Sequence, residues 1–132
     1  MERRLIVNKA ICNICKDEIK SRHRHDFVVC TCGEISVDGG VDYARRVGNK
    51  YTETSLYSDA PHIKLRESIE RGGRGIDGKQ PLKYVLLKDL NDNWLENLIE
   101  YEEKNRPNNG YLPFYKAEKK YRKDNNIIIE GE

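Results

Sequence analysis

The chain has 132 residues, of which 37% are hydrophobic and 35% charged, and its 24 basic and 22 acidic side chains leave a net charge of +2. That length fits one compact domain, or two small units if a metal replaces part of a core, and the near balance of charge excludes the strongly basic footprint of a dedicated nucleic-acid binder. With Phe at 2 and Met and Trp at 1 each, the core is small, and eight Tyr supply apolar rings that keep a polar tip.

The apolar residues are clustered and periodic, as in globular rather than disordered chains. The opening MERRLIVNKAI is interrupted by Asn8 and Lys9 and is too short for a signal-peptide core, and no apolar run approaches the roughly 20 residues of a membrane span. The expectation is a soluble, cytoplasmic protein with no membrane partner, in which reduced, clustered cysteines bind metal.

In chain order, RRLIVNKA at residues 3–10 has the length and β-branched content of a strand and leads into Cys12. Residues 26–29 and 34–37 predict two short strands, with Cys30, Thr31, Cys32 and Gly33 as the turn between them. Asp38, Gly39 and Gly40 break the chain, and residues 41–47 are expected to form one or two helical turns ended at Gly48. KYTETSLY at 50–57 predicts a strand; HIKLRESI at 62–69 alternates like a strand and also suits a short helix. RGGRGIDGK at 71–79, with four glycines in nine positions, reads as a mobile loop or a boundary.

LKYVLL at 82–87 predicts another strand, after which the period changes. Leu90, Trp94, Leu95, Leu98 and Ile99 fall on one helical stripe, Asn91 serves as N-cap, and residues 107–110 stop the run. Pro113 opens a further helix in which Phe114, Ala117, Glu118 and Tyr121 share a side, giving an αα hairpin. The tail NNIIIEGE fits an edge strand or a disordered end. The expected fold is α+β: a zinc-stapled, β-rich, ribbon-like module over residues 1–48, then a part over 49–132 with a short β segment and the helical hairpin.

Cys12-x-x-Cys15 and Cys30-x-Cys32 are separated by fourteen residues. Zinc takes four sulfur or nitrogen ligands in a tetrahedron, and two short turns facing each other supply them. The second pair departs from a standard ribbon, although Cys-x-Cys on an extended segment still turns both sulfurs the same way. The predicted ligands of a structural Zn²⁺ are Cys12, Cys15, Cys30 and Cys32, with His23 or His25 as a replacement if Cys30 or Cys32 does not ligate. Four free thiols are the alternative. Four cysteines would close the coordination shell, which argues against zinc hydrolysis.

Two polar clusters remain. In SRHRHDF, His25 and Asp26 could orient one another as a base and its partner, or alternate as solvated charge beside Arg22, His23 and Arg24. In VDGGVDYARR, the backbone at Gly39 and Gly40 beside Arg45 and Arg46 is a candidate contact for a phosphate or carboxylate, with Tyr43 or Tyr51 to stack. The candidate nucleic-acid contacts are Arg3, Arg4, Lys9, Lys16, Lys20, Arg22, Arg24, Arg45 and Arg46. RGGRG lacks the spacing and Lys-Ser/Thr of a phosphate loop and corresponds to a single copy of an RNA-contacting RGG segment. A divalent-metal nuclease site from His25, Asp26, Asp38 and Asp42 ranks last.

Cys-x-x-Cys, then HRHDFVVCTCG, then ISVDGGVDYARR together resemble the N-terminal block of small zinc-ribbon-like accessory proteins of bacteriophages and prophages, over residues 9–48. PLKYVLLKDLNDNWLENLIE and FYKAEKKYR are similar to such proteins more loosely. The resemblance implies a phage accessory protein of the bacterial cytoplasm, of a kind that binds and redirects a host factor; no catalytic residue carries over. The expected function is non-catalytic binding that modulates a host or antiviral-defence protein. The alternatives are a nucleic-acid-binding zinc protein and a protein that sequesters a nucleotide or small anion.

Overall fold

The computed structural model describes residues 3–75 and 77–131. The fold is α+β, with strands first and two long helices last, and the chain divides into two compact units, residues 1–60 and 61–132. No helix among the described residues is long and apolar enough to cross a membrane.

The first unit is built around β1, Leu5–Cys12, whose alternation puts Ile6, Asn8, Ala10 and Cys12 on one buried face. It pairs antiparallel with β2, Glu18–Ser21, in the register Asn8↔Ser21 to Ile11↔Glu18. A second sheet joins β3, Val28–Val29, β4, Ser36–Asp38, and β5, Arg45–Val47, in that order. The stretch at 50–57 forms two strands, β6, Tyr51–Glu53, and β7, Leu56–Tyr57, which pair with successive parts of β1, with a register shift between Leu5 and Val7 in the second pairing. These pairings place 51–57 in the first unit. Its core joins Ala10, Cys12, Ile19, Cys30, Ile35 and Val37.

In place of the expected one or two helical turns, residues 41–47 hold a single hydrogen-bonded turn closed on Gly39, followed by a strand. Gly39 and Gly40 take φ of 106° and 54°, values that suit glycine, and Asp42 and Tyr43 both donate backbone bonds to the Gly39 carbonyl. Asn8 Nδ2 then reaches the carbonyls of Asp38, Gly40 and Tyr43 at 3.0, 2.8 and 3.2 Å. The chain then returns as β5, with Asp38 opposite Arg45.

In the second unit, His62–Leu65 form the one-turn helix α1, and Leu65 and Ile69 are buried while Ile63 is exposed, so helical spacing prevails over alternation. The glycine-rich segment begins as a strand rather than a loop. Here β8, Glu70–Gly73, pairs with β9, Lys83–Leu86, in the register Arg71↔Val85 and Gly73↔Lys83. A Cβ on Gly73 would lie 3.0 Å from the Trp94 ring, so the bare backbone is what lets the indole pack there.

A 3₁₀ turn, Leu87–Asp89, leads to α2, Asp92–Asn105, whose Asn91 cap accepts from the Trp94 N–H at 2.8 Å. Pro113 lies in the first turn of α3, Leu112–Asp124, and α2 and α3 pack together as a hairpin. The inward face of α3 is Leu112, Tyr115, Glu118 and Arg122; Phe114, Ala117 and Tyr121 flank it half-buried. The face is rotated from expectation because Glu118 meets three partners, accepting from Arg66, Arg122 and the His62 ring. Among its described residues the tail forms no edge strand and is held at Ile129: the Asp92 N–H donates to the Ile129 carbonyl, and the Ile129 N–H to the Asp92 carboxylate.

Candidate metal centre

Two turns bring the four cysteines together. At the end of β1 the chain reverses through Cys12–Cys15, with the Lys16 N–H donating to the Cys12 carbonyl at 2.9 Å and Lys16 itself at φ 65°. Between β3 and β4 the Gly33 N–H donates to the Cys30 carbonyl at 3.0 Å, Gly33 at φ 81°. The sulfurs of Cys12, Cys15, Cys30 and Cys32 all lie within 4.8 Å of one another. Cys12 and Cys30 are buried, Cys15 is half-buried and Cys32 is exposed.

Backbone donors surround the sulfurs. The Ile14 N–H donates to Cys12 Sγ and the Ile35 N–H to Cys30 Sγ, each at 3.4 Å. The bond from Ile35 lowers the Cys30 thiol to about 6, and the bond from the Asp17 backbone lowers Cys15. Cys32 moves the other way. The Glu34 N–H favours its thiolate, but loss of water and the hydrogen bonds to the other three sulfurs push it up to about 12.

Asp17 locks the two turns to each other, its carboxylate accepting from the Thr31 N–H at 3.0 Å and the Thr31 hydroxyl at 2.9 Å. Sequence reasoning did not single out Asp17; the available signal was a carboxylate two positions after Cys15 and a hydroxyl between Cys30 and Cys32. Both histidines lie elsewhere. His25 Nδ1 is 3.0 Å from the Tyr43 hydroxyl and His23 Nδ1 is 3.2 Å from the Arg24 carbonyl.

Several of the residues offered for anion or nucleic-acid contact are engaged within the fold. Arg46 bonds Glu53 at 2.9 and 2.6 Å and the Ser55 hydroxyl at 3.1 Å, and Arg45 approaches Asp38 at 3.5 Å. The Gly40 N–H donates to Ser21 Oγ at 2.9 Å, and Gly39 lies against Tyr43. The Arg22 N–H is taken by Asp26, and Arg24 is exposed. Of the nuclease candidates, His25 faces Tyr43, Asp26 holds Arg22 and Asp38 faces Arg45. Among the described residues the four cysteines are the one group of three or more such side chains placed to hold a metal ion.

The fold and site define an α+β protein with a four-cysteine cluster able to bind a metal. A family model described as a domain of unknown function, DUF7695, matches residues 4–48. The match runs from β1 through β5 and contains all four cysteines and the Gly39-Gly40 turn. No curated protein and no solved structure matches the chain.

Proposed function

We propose that the chain is a non-catalytic binding protein whose first unit is stapled by one structural Zn²⁺ held by Cys12, Cys15, Cys30 and Cys32. The observation that carries this reading is the closeness of the four sulfurs. Sulfurs at tetrahedral corners around zinc, each about 2.3 Å from the ion, stand about 3.8 Å apart; Cys12–Cys32 and Cys30–Cys32 are 3.6 and 3.7 Å apart. Four thiolates select a soft or borderline ion and leave it no position for substrate, so the metal serves the fold and the surface serves a partner.

The resemblance of residues 9–48 to phage and prophage accessory proteins supports a partner among host or antiviral-defence proteins of the bacterial cytoplasm. The engagement of Arg46 by Glu53 and of the Gly40 N–H by Ser21 favours a protein partner over a captured anion. Native mass spectrometry of protein purified from bacteria without chelator tests both halves: one zinc per chain and a stoichiometric protein partner are expected. A metal-free or iron-loaded chain overturns the zinc assignment, and a co-purified nucleotide without a protein partner overturns the binding role.

A further inference from the structure

The second unit contains a cavity of about 820 Å³, within the range of ligand clefts, about 300–1,000 Å³. One wall is five consecutive residues of β8 and its continuation, Arg71 to Gly75, three of them glycines, so that wall is largely bare backbone. The first turns of α2 form another, through Asn93, Trp94 and Asn97. The chain's own residues 129–131 line the cavity as well, Ile129 held through its main chain by Asp92.

The register of the hairpin fixes which way the β8 backbone points. The Leu87 N–H donates to the Ile69 carbonyl at 2.7 Å, in line with the pairs Arg71↔Val85 and Gly73↔Lys83. Hydrogen-bonded pairs alternate along an antiparallel ladder; Arg71 and Gly73 therefore bond β9, and the Gly72 N–H and C=O point away from it. Among the described residues β9 is the one strand paired with β8. Gly72 thus presents a donor and an acceptor at an open strand edge, beside a cavity.

We propose that this groove takes an extended peptide segment of a partner protein, which pairs with the outward main chain of Gly72 on β8 as a third strand. Main-chain bonds to Gly72 supply the affinity and the cavity reads the side chains. Trp94 and Val85 offer apolar contact to one side chain of the peptide. The charged groups of the lining balance, Arg71 and Arg74 against Asp89 and Glu130, which suits a peptide of mixed charge and not a polyanion. The proposal rests on the reading of the chain as a binding protein and names where and how it binds.

The test is selection from a displayed library of random nine-residue peptides against the full chain, followed by affinities for two variants. Gly72→Pro deletes the outward N–H, at a position where an edge strand accepts proline; Gly72→Ala keeps it. Selected peptides are expected to lose about tenfold or more in affinity, about 1.4 kcal/mol, on Gly72→Pro and to stay within about twofold on Gly72→Ala. Hydrogen exchange on the unmodified chain provides a reading that needs no variant: peptide should slow exchange at the Gly72 amide and leave Gly73, already bonded to β9, unchanged. An empty selection, equal binding to Gly72→Pro, or protection elsewhere overturns the proposal. So does a single-stranded oligoribonucleotide that binds and protects Gly72 where peptides do not, which would make the groove a nucleic-acid site. A partner from host lysate that remains bound to both Gly72→Pro and Trp94→Ala would leave the binding role standing and overturn the groove alone.

Discussion

Asn8 occupies a position on the inward face of β1 where an apolar residue would be expected, and it is fully buried. Its amide reaches three carbonyls of the turn after β4, and Ser21, opposite it on β2, accepts from the Gly40 N–H and donates to the Asp26 carbonyl. These two side chains replace the backbone partners the Gly39-Gly40 turn lacks. Asn8→Ala leaves buried carbonyls without donors and is expected to cost about 3 kcal/mol, counting the lost bonds and the stranded acceptors. Urea unfolding of the variant checks it, and a loss under about 1 kcal/mol would mean that water takes over the amide's role. Asn8 was legible in the sequence only as a break in an apolar run. What makes it structural is a turn some 30 residues away, and no local pattern encodes that. The cysteines were legible because two short spacings are enough to place two sulfurs each; Asp17 was not, since its role exists only once the two turns face each other.

Elements that carry their own signal were the ones the sequence revealed. β1 has an alternating buried face, and α2 has a long stripe with a capping Asn91, so each was readable in isolation. β2, β5 and β8 were missed or misread because EIKS, RRV and ERGG have little strand character of their own. They become strands through pairing with β1, β4 and β9, a tertiary effect that overrides local preference. The inward face of α3 was misplaced for a related reason: it buries ions. Glu118 is fully buried between Arg66 and Arg122, with bonds of 2.8 and 2.9 Å to the former and 2.8 Å to the latter, and His62 at 3.0 Å. Arg122 also holds the Leu87 carbonyl and Asp92, tying α3 to the turn before α2. Removing one member strands buried charge, so Glu118→Gln is expected to destabilise by about 3–5 kcal/mol. Chemical unfolding followed by the helical signal is the check; a near-neutral result would show that the two arginines find other acceptors.

At the scale of the whole molecule the two units rest on different chemistry, and two conditions should separate them. Acid acts on the second. Burial alone would raise the Glu118 and Glu102 carboxyls, but hydrogen bonds outweigh it: Arg66, Arg122 and His62 lower Glu118, and Asn109 and Arg106 lower Glu102. Carboxyls depressed in the folded state contribute stability that is complete above their unfolded value, about 4.3, and is lost as pH falls through the lower folded values. Residues 61–132 should therefore keep full stability down to about pH 5 and lose it progressively below about pH 4, in a titration of unfolding free energy against pH. Chelation acts on the first unit. Of the buried apolar side chains of the first unit, Cys12 and Cys30 are proposed metal ligands, leaving Ile6, Val7, Ala10, Ile19, Ile35 and Val37. So few apolar groups cannot offset the ordering entropy of a 60-residue unit without the metal, whereas the second unit buries Leu87, Leu90, Leu95, Leu98, Ile99, Leu112 and Tyr115 and uses no cysteine. A strong chelator at neutral pH should abolish hydrogen-exchange protection along β1 and β4 while amides of α2 and α3 stay protected, and added Zn²⁺ should restore the lost set. Protection that survives in β1 would make the four cysteines dispensable to the fold, and loss of protection in all four elements together would mean that the metal holds the second unit as well as the first.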